Sequence, residues 1–247
     1  MLVLLPPSET KAPGGEAPPL DLAALSFPDL TPVRTRLVTA LTELAEDVPA
    51  SLAALGLSER QAGEVERNAR LLTAPTAPAL ARYTGVLYDA LDVATLSTAA
   101  LARAKHRLAV ASALFGLVRG ADLIPAYRLS AGSALPGIGP LRSLWRPALE
   151  PIVSTVDELV IDLRSGAYAG LARVPSAVLV RVVSVDGAGR RKAVSHHNKA
   201  HKGRLARALA TSAREPATVS GVLRVATAAG LRLDHVDANT LELVVPA

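Results

Sequence analysis

RLAVASALFGLV, from Arg107 to Val118, is apolar and small apart from Arg107 and Ser112. A run of this kind suits one buried strand that passes close to other backbone. Working outward, Thr98 to Lys105 and Val86 to Leu91 read as short helices. Leu141 to Thr155 has a helical pattern around Trp145, and ELVIDL, from Glu158, is a strand by length and branching. Met1 to Leu5 is a first buried strand stopped by Pro6 and Pro7, and a Pro/Gly-rich loop then runs to Pro19. Thr31 caps a helix with Pro32 at its first position that continues to about Asp47, and Ser58 opens a capping box with Gln61. Ser176 to Asp186 and Arg190 to His196 form a hairpin around the turn DGAG. Asn198 to Ser212 and Ala217 to Ala229 are helices, and the last stretch closes as two strands around Asp-Ala-Asn. With no internal repeat and no convincing linker, residues 1–247 are expected to form one mixed α/β domain.

Composition narrows the functional classes. The chain has 247 residues and no cysteine, which excludes disulfides, thiolate metal sites and cysteine nucleophiles. No apolar run approaches the ~18 to 20 residues that span a bilayer. The start, MLVLLPPSETK, lacks the basic region and long apolar core of a secretion signal, so a cytoplasmic protein without a membrane partner is expected. Formal net charge is +5, and its excess is local: nine Lys/Arg stand against one Asp between Arg181 and Arg214. Such a surplus attracts polyanions, because each neutralised phosphate releases condensed counterions.

On a helix wheel Leu205, Ala208 and Leu209 share one face, while Lys199, Arg204, Arg207 and Arg214 fall on the opposite arc with Lys202 at its margin. Asn198 is a plausible N-cap that would aim free N–H groups at an anion. Arg190, Arg191 and Lys192 add charge from the preceding hairpin. Aromatics are scarce, so stacking platforms for single strands are mostly missing. His197 and His201 are spaced i, i+4, but no third ligand is near in sequence, so no metal site is expected and His201 should be partly buried. Dinucleotide, Walker and GxSxG signatures are absent, and no cofactor is called for. Arg119, Asp122, Tyr127 and Arg128 place two guanidiniums, a carboxylate and a phenol within ten residues, enough for an anion clamp or for an ion-pair network.

These residues also carry a resemblance. LFGLVRGADLIPAYRLSAG, from Leu114, resembles the central signature of the YaaA family of peroxide-stress proteins. MLVLLPPSETK is similar to the family's opening segment and places Ser8 and Lys11 in its motif. ARYTGVLYDAL matches a block through Tyr83, Gly85 and Tyr88, and Trp145, VIDLRSGAY and SHHNKAHKGRLAR follow in order, the last placing Lys199, Lys202 and Gly203. Three departures stand out: Gly120 replaces a usual proline, which should loosen that turn. His196 and His197 occupy positions where aromatics are common, and GLRLD from Gly230 lacks the family's aromatic pattern.

The resemblance implies a compact mixed α/β fold with a positively charged cleft and a helix-hairpin-helix element. It implies double-stranded DNA as partner, and protection against peroxide by limiting iron-driven Fenton damage. Lys199, Lys202 and Arg204 are then the expected phosphate contacts, with Gly203, Arg207, Arg190, Arg191 and Lys192 completing the surface. The competing expectation is an enzyme or small-ligand protein. Ser8, Lys11, Arg119, Tyr127 and Arg128 would then converge around a nucleotide-like anion, with Lys11 or Tyr127 as acid or base.

Overall fold

The computed structural model describes residues 1–187, 189–194 and 198–246. Ala188, in the expected DGAG turn, and His196 and His197 lie outside these residues. The apolar stretch Leu2–Leu5 forms β1, and two further parallel strands flank it: β2 (Leu108–Ser112) and β4 (Val160–Asp162). All three are buried along their whole length, as parallel strands covered by helices on both faces must be. RLAVASALFGLV is not one strand. After Ser112 the chain turns through Ala113–Phe115 and returns as β3 (Gly116–Arg119), antiparallel to β2. The turn is pinned from outside: Trp145 Nε1 donates to Ala113 O at 2.7 Å, and the buried Arg34 donates to Phe115 O and Leu117 O.

On the other side of β4 lie β5 (Val178–Val185), its antiparallel partner β6 (Arg191–Ala193), and a closing hairpin of β7 (Arg232–Asp237) and β8 (Thr240–Pro246). The sheet runs β7-β8-β5-β4-β1-β2-β3, with β6 added at the end of β5, and β8 is parallel to β5. The route matters for function. From β1 the chain crosses to β2 on one side, whereas from β4 it moves to β5 on the other.

The helices are α1 (Thr31–Leu44), α2 (Val48–Leu55), α3 (Ala62–Ala69), α4 (Val86–Leu91), α5 (Thr98–Arg107), α6 (Leu141–Ser154), α7 (Asn198–Thr211) and α8 (Val219–Ala228). Of these, α2 is not among the helices expected from sequence, and Thr31 is not a cap but lies inside α1, whose N-cap is Leu30 with no side-chain hydrogen bond. Ser58 and Gln61 form the expected capping box ahead of α3. Helix α7 buries Leu205, Ala206, Leu209 and Ala210 and packs on α4, α5 and α8. Its contact with α4 is so close that a Cβ on Gly203 would lie 2.2 Å from Leu87 O. Gly203 is thus required by helix packing. Gly120 does not loosen its turn either: a Cβ there would meet Leu80 Cδ1 at 2.6 Å, so this bend is tightly filled. Among the described residues no helix is long and apolar enough to cross a membrane.

Candidate functional site at the carboxyl edge of the sheet

Parallel strands point their carboxyl ends along one edge, and the polar residues of three distant segments meet there. After β1 the chain enters Pro6–Lys11, after β2 comes the Ser112 turn, and after β4 come Leu163 and Arg164. Lys11 lies beneath the first of these loops and is only 6% exposed. Its Nζ donates to Ser8 O at 3.1 Å and Glu9 O at 3.3 Å, and stands 4.0 Å from the Tyr127 ring centroid. Burial and then the neighbouring Arg128 pull the Lys11 pKa down to about 7, against opposing pulls from Glu64 and Glu9.

The chain holds four tyrosines, and all belong to this neighbourhood. Tyr83 stacks on Tyr88 and meets Tyr127 edge-on, and the Tyr83 and Tyr127 hydroxyls bond at 2.8 Å. Ser112 Oγ accepts from Leu114 N and Phe115 N, so its own hydroxyl proton is directed to Tyr127 Oη, 2.7 Å away. Tyr88 donates to Pro6 O. Tyr168 is near enough to Glu9 and Arg128 to feel both charges, and its pKa is raised to about 12 mainly by burial. Burial also raises the pKa of Tyr83, Tyr88 and Tyr127, which keeps these phenols neutral.

Four of the five pocket residues expected from sequence therefore come together: Ser8, Lys11, Tyr127 and Arg128. Ser8 Oγ accepts from Thr84 N at 3.1 Å, and Arg128 pairs with Glu9 at 2.9 Å. Arg119 does not join them. Because β3 runs antiparallel to β2, with Arg119 opposite Ala109, its guanidinium is carried to the amino edge of the sheet, where it faces Phe27 and Glu158. Asp122 is likewise structural, accepting from Ser26 and from Arg119 N. Sequence reasoning missed Ser112, Tyr168 and Arg82. The scarcity of tyrosine was the available signal for Tyr168. Arg82 is fully buried and donates to Ile124 O, Ala12 O and Pro75 O, fastening the far end of the loop.

The seven basic residues and Gly203 expected to face a polyanion divide by what they touch. Lys202 turns inward: Nζ donates to Leu163 O at 2.9 Å and Arg164 O at 3.2 Å, and burial lowers its pKa while Asp162 opposes the shift. Arg164 is itself held by both oxygens of Asp162. Arg207 donates to Leu91 O, Asp92 O and Thr95 Oγ1, closing the end of α4. Arg191 bridges Asp234 and Glu242, and Arg190 pairs with Asp186. Gly203 is packed against α4. The side chains of Lys192, Lys199 and Arg204 are exposed and have no hydrogen-bond or ion-pair partner among the described residues. Lys199 lines a cleft of about 300 Å³ with Ser8, Thr10, Thr84 and Gly85. His201 is half-buried, and among the described residues no group of three His, Cys, Asp or Glu could hold a metal.

An open α/β sheet with its polar groups gathered outside the carboxyl ends of the central strands belongs to a broad class whose ligand sites lie at that edge. The chain belongs to the family described as peroxide stress protein YaaA, whose match covers residues 1–235. Among its relatives, a UPF0246 protein of Corynebacterium efficiens is 51% identical over 251 residues, covering 99% of this chain and 100% of its own. A UPF0246 protein of Corynebacterium glutamicum is 48% identical over 251 residues with the same coverage. One of Streptomyces coelicolor is 48% identical over 221 residues, covering 87% of this chain and 85% of its own.

Proposed function

We propose that this chain serves a peroxide-stress response by binding duplex DNA, with Lys199 and Arg204 of α7 and Lys192 of β6 contacting backbone phosphates. The observation that carries this reading is the sorting of cations in the C-terminal third. Of the eight candidate positions, these three side chains are presented to solvent with no protein partner among the described residues, whereas Lys202, Arg207, Arg190 and Arg191 are hydrogen-bonded or ion-paired to the same chain and Gly203 is packed against α4. Binding by such contacts reads the backbone and carries no base sequence. Helices α7 and α8, joined through residues 212–218, are where the expected helix-hairpin-helix element would lie, and Arg214 and Arg224 border a depression of about 470 Å³ at that corner. Coverage of the duplex is the means by which the chain would limit iron- and peroxide-driven strand breakage.

Fluorescence anisotropy of a labelled duplex at low and near-physiological salt tests the reading. Lys199→Ala with Arg204→Ala should weaken binding at least tenfold at low salt, and a plasmid nicking assay with ferrous iron and peroxide should lose protection in parallel. Unchanged affinity in the double variant would overturn the assignment.

A further inference from the structure

The sheet ends in an open edge. Strand β7 pairs with β8 on one side, and among the described residues no strand lies on its other side. Such an edge presents a row of N–H and C=O groups that a further strand can use. A bulge limits its length: pairing with β8 is regular from Arg232 to His235 and shifts between His235 and Asp237. The straight part is therefore Arg-Leu-Asp-His, preceded by Leu231. It is open to solvent, with the Arg232 side chain 65% exposed and His235 exposed.

Charged side chains on an edge usually turn other strands away. On β7 they match one strand, the β7 of a second copy. Two copies related by a two-fold axis perpendicular to the sheet pair antiparallel, and this symmetry sets one residue opposite itself. Centred on Arg232, two guanidiniums face each other, and centred on Asp234, two carboxylates do. Centred on His235, each Asp234 faces the apolar Val236 and each Leu233 faces Asp237. Centred on Val236, the ladder is interrupted by the bulge. Centred on Leu233, leucine meets leucine, and each Arg232 meets Asp234 of the other copy. Like charges directly opposite destabilise a ladder and opposite charges support it, so this register alone is favourable along the straight part.

The surrounding charges extend the match. Asp234 already accepts from Arg191 and Arg232, and Arg191 also bridges Glu242, so alternating charges run across one face of the edge. Arg232 of the second copy continues that row. From this self-complementarity we infer that β7 is an isologous interface through which two copies of this chain join into one continuous sheet, with Leu233 on the two-fold axis. A contact along one short strand buries little surface, so the association is weak and concentration-dependent. Leu231, at the entry to β7, shares a depression of about 320 Å³ with Arg204. On the duplex reading each dimer thus carries two α7 surfaces on one sheet, and a duplex that meets both is held more tightly.

Sedimentation velocity of the full chain over a wide concentration range tests the interface. A monomer–dimer equilibrium is expected, and Arg232→Asp and Asp234→Arg should each weaken it at least tenfold. An equimolar mixture of the two variants should recover most of the lost affinity, because each offers the charge that the other lacks. A purely structural role of either residue would not be rescued by mixing. The chain has no cysteine, so Leu233→Cys should give a cross-linked dimer on mild oxidation. Arg232→Cys should give little, because its two Cα atoms lie beyond the roughly 7 Å that a disulfide spans. A chain that stays monomeric up to its solubility limit, a dimer indifferent to Arg232→Asp, or variants that mixing does not rescue overturns the inference. A parallel duplex titration separates the two readings: duplex binding by a chain that stays monomeric removes only this inference, and a dimer that ignores duplex removes only the duplex reading.

Discussion

Two basic regions of this protein look different in sequence and exchange roles in the structure. The segment from Arg181 to Arg214 is loud, with nine cations and one acid, yet much of that charge is already paired with carbonyls or carboxylates of the same chain. The segment around Lys11 carries one lysine and looks quiet, yet it is where four tyrosines and Arg128 gather. Charge density along a chain therefore says little about availability. What decides the role of a cation is whether it meets a carbonyl, a carboxylate or solvent.

The comparison breaks most visibly at Arg82. Arg82→Ala leaves the carbonyls of Ile124, Ala12 and Pro75, the first of them buried, without this donor, opens a cavity and loosens the Lys11 loop, and the expected loss of stability is about 3 to 5 kcal/mol, read from denaturant midpoints. A loss below about 1 kcal/mol would mean that the loop is not held by this fork. Next is Gly203→Ala, which forces α7 away from Leu87 O. A cost of about 1 to 3 kcal/mol is expected, with duplex binding lowered only as far as the fold is. A selective loss of DNA affinity with unchanged stability would return Gly203 to the interface.

Lys11 sharpens the comparison through pH. Its pKa falls from 10.5 in the unfolded chain to about 7 in the fold, so between these values the unfolded state binds more protons. From this group stability rises as pH increases from about 7 toward 10, with a slope of up to about 1.4 kcal/mol per pH unit, and is flat below about 7. Subtracting the pH profile of Lys11→Met from that of the wild type should leave that rise. A flat difference would show that the two carbonyls and the Tyr127 face keep the ammonium charged throughout. The smallest effect belongs to the exposed cations: Lys199→Ala and Arg204→Ala should each change stability by less than about 0.5 kcal/mol.

Much of the fold was legible because its signals are local. Five apolar residues before Pro6-Pro7, the capping box at Ser58 and the Asp-Ala-Asn turn each fix an element without help from distant contacts. The β2–β3 hairpin was not legible. Its turn, Ala113–Phe115, carries no Asn-Gly or Asp-Gly signal, being stabilised from outside by Trp145 and Arg34, and so Arg119 was placed at the wrong edge. Lys202 was misplaced for a related reason. The leucines of α7 mark one buried stripe, but Gly203 and Ala206 mark a second, where small residues admit α4, and Lys202 lies beside that stripe. The pocket residues Ser8, Lys11, Tyr127 and Arg128 were found by their matching blocks. Their common location needed the parallel pairing of β1 with both β2 and β4.

The most direct test of the cation sorting is the salt dependence of duplex binding in two double variants. Removing Lys199 and Arg204 should lower the slope of log affinity against log salt by about 2, one for each lost phosphate contact, while removing Arg190 and Arg191, which are ion-paired to carboxylates of the same chain, should leave the slope nearly unchanged. Equal losses of slope in the two variants, or no loss in the first, would contradict the account.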